Sequence, residues 1–301
     1  VWGWVTNDCS VLAELSVSAV SREIADAVAE QLAVDLVQEP GRLVIVLRKP
    51  QEHKDNYCVS GRMTITVPLE TRAAITTTYG DCRAENITRQ VAMQSTHGDI
   101  LFDNIRGDIV AVSTYGDIKL ANTQNASVNA TTTHGGIKLD NSNIRQVRCS
   151  TIYGPIRLKA ILADRLDLQT SQDSIELTAC TAKEAELNTS YGAIGGDIGG
   201  IERITARTSH APIDLRCVNE SSPNLAATLS TTYNNIAFCP PAGFAGRVSA
   251  STSYGHIRTD RSIVVQGVLG EQLNGTIGEG TGSITLTTTH GNIDLKNPNP
   301  Q

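Results

Sequence analysis

Apolar and small polar residues alternate with a period of two along most of this chain, and a short turn interrupts the alternation at a nearly constant interval. The unit is clearest in Ser113-Thr114-Tyr115-Gly116-Asp117-Ile118-Lys119-Leu120. With Tyr115 as its anchor, equivalent positions are Tyr79, His97, Tyr115, His134, Tyr153, Gln172, Tyr191, His210, Tyr233, Tyr254 and His290. Successive intervals are 18, 18, 19, 19, 19, 19, 19, 23, 21 and 36 residues, and the last reads as two coils of 18 with one anchor unrecognisable. Positions six and four before the anchor are aliphatic or small, and the position two before it is always Ser or Thr. Three after it stands Ile in ten of eleven copies, with Cys82 the exception, and five after it mostly Leu or Phe.

Two alternating runs joined by a turn predict two short strands per coil, with their apolar sides facing one interior. A single coil buries too little to fold, so coils must stack at ~4.8 Å and place like residues on like in continuous ladders. A left-handed hexapeptide helix would need an aliphatic residue every six positions, which the pattern does not supply. The expected fold is therefore all-β: a right-handed single-stranded parallel β-helix, a β-solenoid of about eleven to twelve coils and roughly 55 Å.

Residues 1–70 do not share the repeat and predict a small N-terminal α/β cap, with the solenoid running from 71 to 301. Val1–Val5 and Val11–Val17 read as strands, and Ser21 as the N-cap of a helix to about Leu32, whose Ile24, Val28 and Leu32 form one apolar stripe. Pro40-Gly41 turns between strands Val34–Glu39 and Arg42–Leu47. Residues 49–57 form a charged loop, and Met63–Val67 returns as a strand. Such a leader is expected to hide the open edge of the first coil. Asn219–Asn224 should bulge from the rod, the glycine-punctuated Gly267–Gly275 should leave regular coiling, and the tail after Asn297 should end the ladder.

The repeat unit Val-x-Ala-x-Thr-x-x-Gly-Asp-Ile-x-Leu, the strand Met63-Thr64-Ile65-Thr66-Val67-Pro68 and the late Gly278-Glu279-Gly280-Thr281-Gly282-Ser283-Ile284 run carry a likeness. In them the chain resembles the adhesin-type family of bacterial β-solenoid domains, catalogued as a domain of unknown function. The resemblance covers nearly the whole chain and implies the fold and an envelope or surface location. It supplies no catalytic residues. Related domains also occur in eukaryotes, including in mitochondria, so an intracellular or organellar location is the alternative to the cell surface, periplasm or secretion.

Composition narrows the chemistry. The chain has 301 residues, 4% of them aromatic, and a formal net charge of −6, which argues against nucleic acid as a general partner. No apolar run reaches the ~18 residues of a membrane span. A start at Val1 is compatible with a removed signal peptide and with none. Seven cysteines without CxxC or zinc spacing read mainly as small buried residues; Cys82 and Cys149, about four coils apart, and Cys180 and Cys217, about two, are too far apart to bridge, leaving Cys217–Cys239 and Cys9–Cys58 as candidate pairs. Six Asn-x-Ser/Thr sites are close to chance in so Ser/Thr-rich a chain.

The candidate binding surface is the anchor ladder: Tyr79, His97, Tyr115, His134, Tyr153, Tyr191, His210, Tyr233, Tyr254 and His290. A stripe of rings suits stacking on sugars or on a partner's flat surface; equally, the rings can stack on one another and brace the turns. Lys119, Lys138 and Arg157 form a short basic stripe for an acidic polysaccharide or a phosphate, or else a solvated edge. A histidine-bound metal is excluded by spacing, because His97 and His134 lie two coils, ~9.6 Å, apart. Asp81, Asp99 and Asp117 could share calcium but read better as turn chemistry. Outward Thr pairs such as Thr131/Thr133 are too often interrupted, as at Val112 and Arg207, for an ice-binding plane. No catalytic set is readable, His256 beside Tyr254 and Arg258 being the nearest approach, so no enzyme activity and no cofactor or metal is expected. The reading is a non-enzymatic adhesin-like rod that binds a glycan or protein. The alternative is a structural subunit that self-associates end to end or side by side, and the two differ in whether the terminal edges are covered.

Overall fold

The computed structural model describes residues 1–5, 7–48, 57–218, 220–265 and 271–297, and it divides into two compact units, Val1–Pro68 and Leu69–Gln301. Among the described residues the chain is all-β apart from one short helix in the first unit. Of the expected charged loop 49–57, all but Tyr57, which begins a strand, lies outside the described residues, as do 267–270 of the glycine-punctuated segment and the tail from 298.

In the first unit, β1 (Trp2–Trp4) pairs parallel with β5 (Tyr57–Pro68), and β2 (Ser10–Ala19) pairs antiparallel with β5 over its whole length. The helix α1 (Arg22–Gln31) starts where the sequence places it. Ser21 is extended, and its hydroxyl accepts the Ile24 N–H at 3.3 Å, satisfying a donor that the first helical turn leaves unpaired. Val28, in the middle of the apolar stripe, is fully buried. β3 (Ala33–Glu39) and β4 (Arg42–Arg48) form a separate antiparallel hairpin across Pro40-Gly41, where Gly41 takes a φ of +74° that suits glycine. Cys58 lies opposite Ser18, while Cys9 adjoins Ser10, which lies opposite Thr66. Eight residues of antiparallel strand separate them, ~27 Å, so the Cys9–Cys58 bridge is ruled out.

The second unit is a β-solenoid with, among the described residues, two parallel ladders of eleven strands each. Nine rungs, anchored from Tyr79 to Tyr233, follow one another in chain order at about 19 residues per turn. Ile100, Ile118, Ile137, Ile156, Ile175, Ile194, Ile213 and Ile236 stack in register, all at 1% exposure or less. Burial of one such side chain stabilises by roughly 1.5–3 kcal/mol, so the ladder is a large part of the core.

The last two rungs are exchanged. Strand Ala226–Ser230 pairs not with the next coil in the chain but with Gly282–Thr287, and Gly282–Thr287 pairs in turn with Gly246–Ser251. The second ladder repeats this: Ile236 faces Ile293, and Ile293 faces Ile257. The final coil thus sits between the two that precede it. Residues 255–289 are not two coils with a lost anchor, as the spacing suggested. Beyond the exchange, strand Gln272–Ile277 runs antiparallel along the outer edge of Gly246–Ser251, with Val264–Val265 paired on its far side. Eleven rungs, and no twelfth, are present among the described residues.

Two corners hold the coils in register. At the first, the Ser or Thr two before each anchor from His97 onward is buried. The hydroxyls of Thr132, Thr151 and Thr170 donate to the carbonyls of Gly116, Gly135 and Gly154 one rung back, at 3.1, 3.0 and 3.0 Å. The same hydroxyl type accepts from its own turn, as Ser113 does from the Gly116 N–H at 3.0 Å. A Cβ on Gly116 would stand 2.1 Å from the Gly98 carbonyl oxygen, so this approach of backbones requires glycine. At the second corner Asn86, Asn104, Asn122 and Asn141 adopt φ between 46° and 57°, and the Nδ2 of Asn104 and Asn141 donates to the Oδ1 of Asn86 and Asn122, each at 2.7 Å. Asparagine tolerates this left-handed turn better than other side-chain-bearing residues do.

Candidate functional site

The exchange of the last coils reorders the anchors. In space they run Tyr79, His97, Tyr115, His134, Tyr153, Gln172, Tyr191, His210, Tyr233, His290, Tyr254. Tyrosine and histidine alternate without a fault, and Gln172 occupies one histidine slot. In chain order Tyr233 and Tyr254 are successive anchors, and the alternation appears broken there. All ten candidate residues are brought together, in two stacks of five rings on either side of Gln172. Centroids lie 4.6–5.3 Å apart, with interplanar angles of 15–28°.

The stacking decides what the ladder can present. Each ring face inside a stack is covered by the next ring, so the faces that could lie on a sugar are occupied. The edges are free: Tyr115, Tyr153, Tyr191 and Tyr233 are 52–53% exposed, and the end rings Tyr79 and Tyr254 are 72% and 74%. The Nδ1 atoms of His97 and His134 lie 3.3 Å from the carbonyl oxygens of Thr78 and Thr114. A carbonyl only accepts, so Nδ1–H donates there and Nε2 is left for a partner. The ladder offers a phenol hydroxyl every second rung, ~9.6 Å apart, with an imidazole between.

The basic stripe is assembled as expected, Lys119, Lys138 and Arg157 standing in register on adjacent rungs. Each is paired. Lys119 Nζ is 3.0 Å from Asp99 Oδ2 and 3.3 Å from Asp117 Oδ2, Lys138 Nζ is 2.9 Å from Asp140, and Arg157 Nε is 3.1 Å from Glu176. The hydrogen bond to Asp99 raises the Lys119 ammonium above its ordinary range. These are surface pairs, worth at most about 1 kcal/mol each. Lys119 and Lys138 flank a shallow groove of about 180 Å³ that also touches Arg83, Leu101, Asp103 and Asp140.

The aspartates at the first three turns serve the backbone. Asp81 Oδ1 accepts the Asp99 N–H at 2.9 Å, Asp99 Oδ1 the Asp117 N–H at 2.8 Å, and Asp117 Oδ1 the Gly136 N–H at 2.9 Å. Among the described residues no group of three or more His, Cys, Asp or Glu side chains is placed to hold a metal. At the nearest approach to a catalytic set, the His256 N–H donates to Asn292 Oδ1 at 2.9 Å and Arg258 lies in register with Asp294, which is ladder structure. Burial pushes the thiols of Cys82, Cys149, Cys180 and Cys239 up and that of Cys217 to about 12, so none is a thiolate nucleophile at neutral pH. Cys217 and Cys239, on adjacent rungs, are both free.

No helix among the described residues is long and apolar enough to cross a membrane. Neither curated proteins nor solved structures yield a match to this chain. A family model does match, over residues 60–143 and 127–296, and the two segments overlap inside the solenoid as a repeat requires. The adhesin role implied by the resemblance is no part of that match. From within β5 to the exchanged final coil, the chain belongs to the Toastrack DUF4097 family, a β-solenoid family of unknown function.

Proposed function

We propose that this chain is a non-enzymatic, adhesin-like protein whose solenoid is a rigid ruler for a glycan or a protein partner, engaged along the Tyr–His ladder. The observation that carries the reading is the ladder itself: ten rings in two alternating stacks of five on either side of Gln172, half or more of each ladder tyrosine exposed, with only edges free inside the stacks. Edge-on contact means hydrogen bonding by phenol hydroxyls and imidazole nitrogens at a fixed repeat, which fits an extended polymer better than a single compact ligand. Face stacking of a sugar remains open only at the end rings. The antiparallel strand along the outer edge of the Gly246–Ser251 rung supports this reading over end-to-end assembly, since it occupies the hydrogen-bonding groups that a further subunit would need. An envelope or surface setting is the one in which such a ruler meets its partner.

Paired substitutions separate binding from bracing. Tyr115→Phe with Tyr153→Phe keeps the stack and removes two hydroxyls; it should leave the melting temperature within about 2 °C while lowering retention of the protein's ligand on a glycan array at least about tenfold. Tyr115→Ala with Tyr153→Ala should lower both. If neither pair changes retention, the ladder only braces the solenoid and the proposal fails.

A further inference from the structure

The hairpin β3–β4 in the first unit exposes apolar side chains on both of its faces: Leu36, Val37, Leu43 and Val46 are 57%, 50%, 39% and 47% exposed. Among the described residues its two strands pair only with each other. A lone two-stranded hairpin is marginal in water, and three or more strands with an apolar face are needed for independent stability. Natural edge strands are also guarded by lysine, proline or a bulge, yet Leu43 to Leu47 carries no charge and no proline.

β4 has a further property: Arg42-Leu43-Val44-Ile45-Val46-Leu47-Arg48 reads the same in both directions. Antiparallel pairing of this strand with itself about Ile45 would set Ile45 against Ile45, Val44 against Val46 and Leu43 against Leu47. The backbone is oriented for it. Glu39 and Arg42 flank the two-residue turn and form its hydrogen-bonded pair, so by alternation the N–H and C=O of Leu43, Ile45 and Leu47 point to the open edge. The charges do not oppose it. Arg42 and Arg48 would approach each other at both ends, but Arg48 is held by Asp35 through bonds of 2.6 and 2.9 Å and Arg42 lies 3.9 Å from Glu39, so each arrives with its counter-ion. The outer edge of β3, with Asp35, Gln38 and Glu39, has no such self-complementarity.

We propose that β4 pairs with β4 of a second copy of this chain, joining two hairpins into one four-stranded antiparallel sheet around a two-fold axis at Ile45. Val34, Leu36, Leu43, Ile45 and Leu47 of each copy then make one continuous apolar face. Such an isologous contact closes at the dimer and does not grow into a filament. The surface is independent of the Tyr–His ladder.

Light scattering on the full chain over a wide range of concentration should give twice the chain mass, and Ile45→Lys, which sets two like charges on the axis, should give the chain mass with the solenoid's melting unchanged. A second pair of variants guards against a hairpin that simply fails to form. In a Cys9→Ser, Cys58→Ser background, Ile45→Cys brings two thiols to Cα positions ~5.5 Å apart, within disulfide reach, and should give an oxidised dimer. Leu36→Cys, three strand spacings or ~14 Å from its counterpart, should not. A wild-type chain that stays monomeric, a dimer indifferent to Ile45→Lys, or cross-linking through Leu36→Cys instead of Ile45→Cys would overturn the proposal.

Discussion

Deleting residues 283–297 should cost the solenoid two rungs instead of one. In a collinear stack the last coil protects only itself, but here it is the layer between Ala226–Ser230 and Gly246–Ser251. Removing it withdraws the buried Ile284, Leu286, Ile293 and Leu295, a gross loss on the order of 6–12 kcal/mol. It also leaves the two flanking strands ~9.6 Å apart, too far for any hydrogen bond between them. Hydrogen exchange on the truncated chain should show protection lost from about residue 246 onward and kept from 82 to 239. Loss confined to the residues next to the cut would mean that the coils stack in chain order.

Ile137→Asp should have the second-largest effect. Ile137 is 1% exposed between Ile118 and Ile156, so a carboxylate there has apolar neighbours on both rungs and no donor. It must either bury a charge or take up a proton, and each costs several kcal/mol. Urea unfolding should give a loss of roughly 4 kcal/mol or more, against about 1 kcal/mol for Ile137→Val at the same site. Because coils touch only their neighbours, the loss should centre on the rungs of Tyr115, His134 and Tyr153. An Asp variant as stable as the parent would show that position three after the anchor does not face the interior.

These expectations rest on features that were unequally legible in the sequence. The inward ladders were plain, because parallel stacking turns a chain period directly into a spatial neighbour: Ile118 lies on Ile137 for the same reason that they are 19 residues apart. The cap at Ser21 and the turn at Pro40-Gly41 were legible as local chemistry. The exchange was not, because a repeat reports which residues are equivalent and is silent on the order in which the equivalents stack. One signal was available. Apart from Gln172 in a histidine slot, the alternation of tyrosine and histidine is broken in chain order only at Tyr254, and moving His290 before it repairs the pattern. The invariant Ser or Thr two before the anchor was visible without its role, since a buried hydroxyl bridging two rungs needs the neighbouring carbonyl to be located first. The Asn corner was also missed: Ala160 and Ala179 replace it in two coils at the same positive φ and blur the column. Cys9 and Cys58 looked like a pair because both lie in the leader, and only the register of β2 against β5 puts them at opposite ends.

The order of the rungs underlies both the alternating ladder and the binding surface built on it, and one cross-linking comparison reads it directly. Thr228 and Thr285 are exposed and in register on adjacent strands, and Thr285 is likewise in register with the half-buried Ser249, which leaves Thr228 and Ser249 two rungs or ~9.6 Å apart. In a background lacking Cys9 and Cys58, Thr228→Cys with Thr285→Cys should oxidise to an intramolecular disulfide, and Thr228→Cys with Ser249→Cys should stay reduced. A bridge in the second variant and none in the first would place the coils in chain order, put Tyr233 next to Tyr254, and remove the alternation on which the ladder's reading depends.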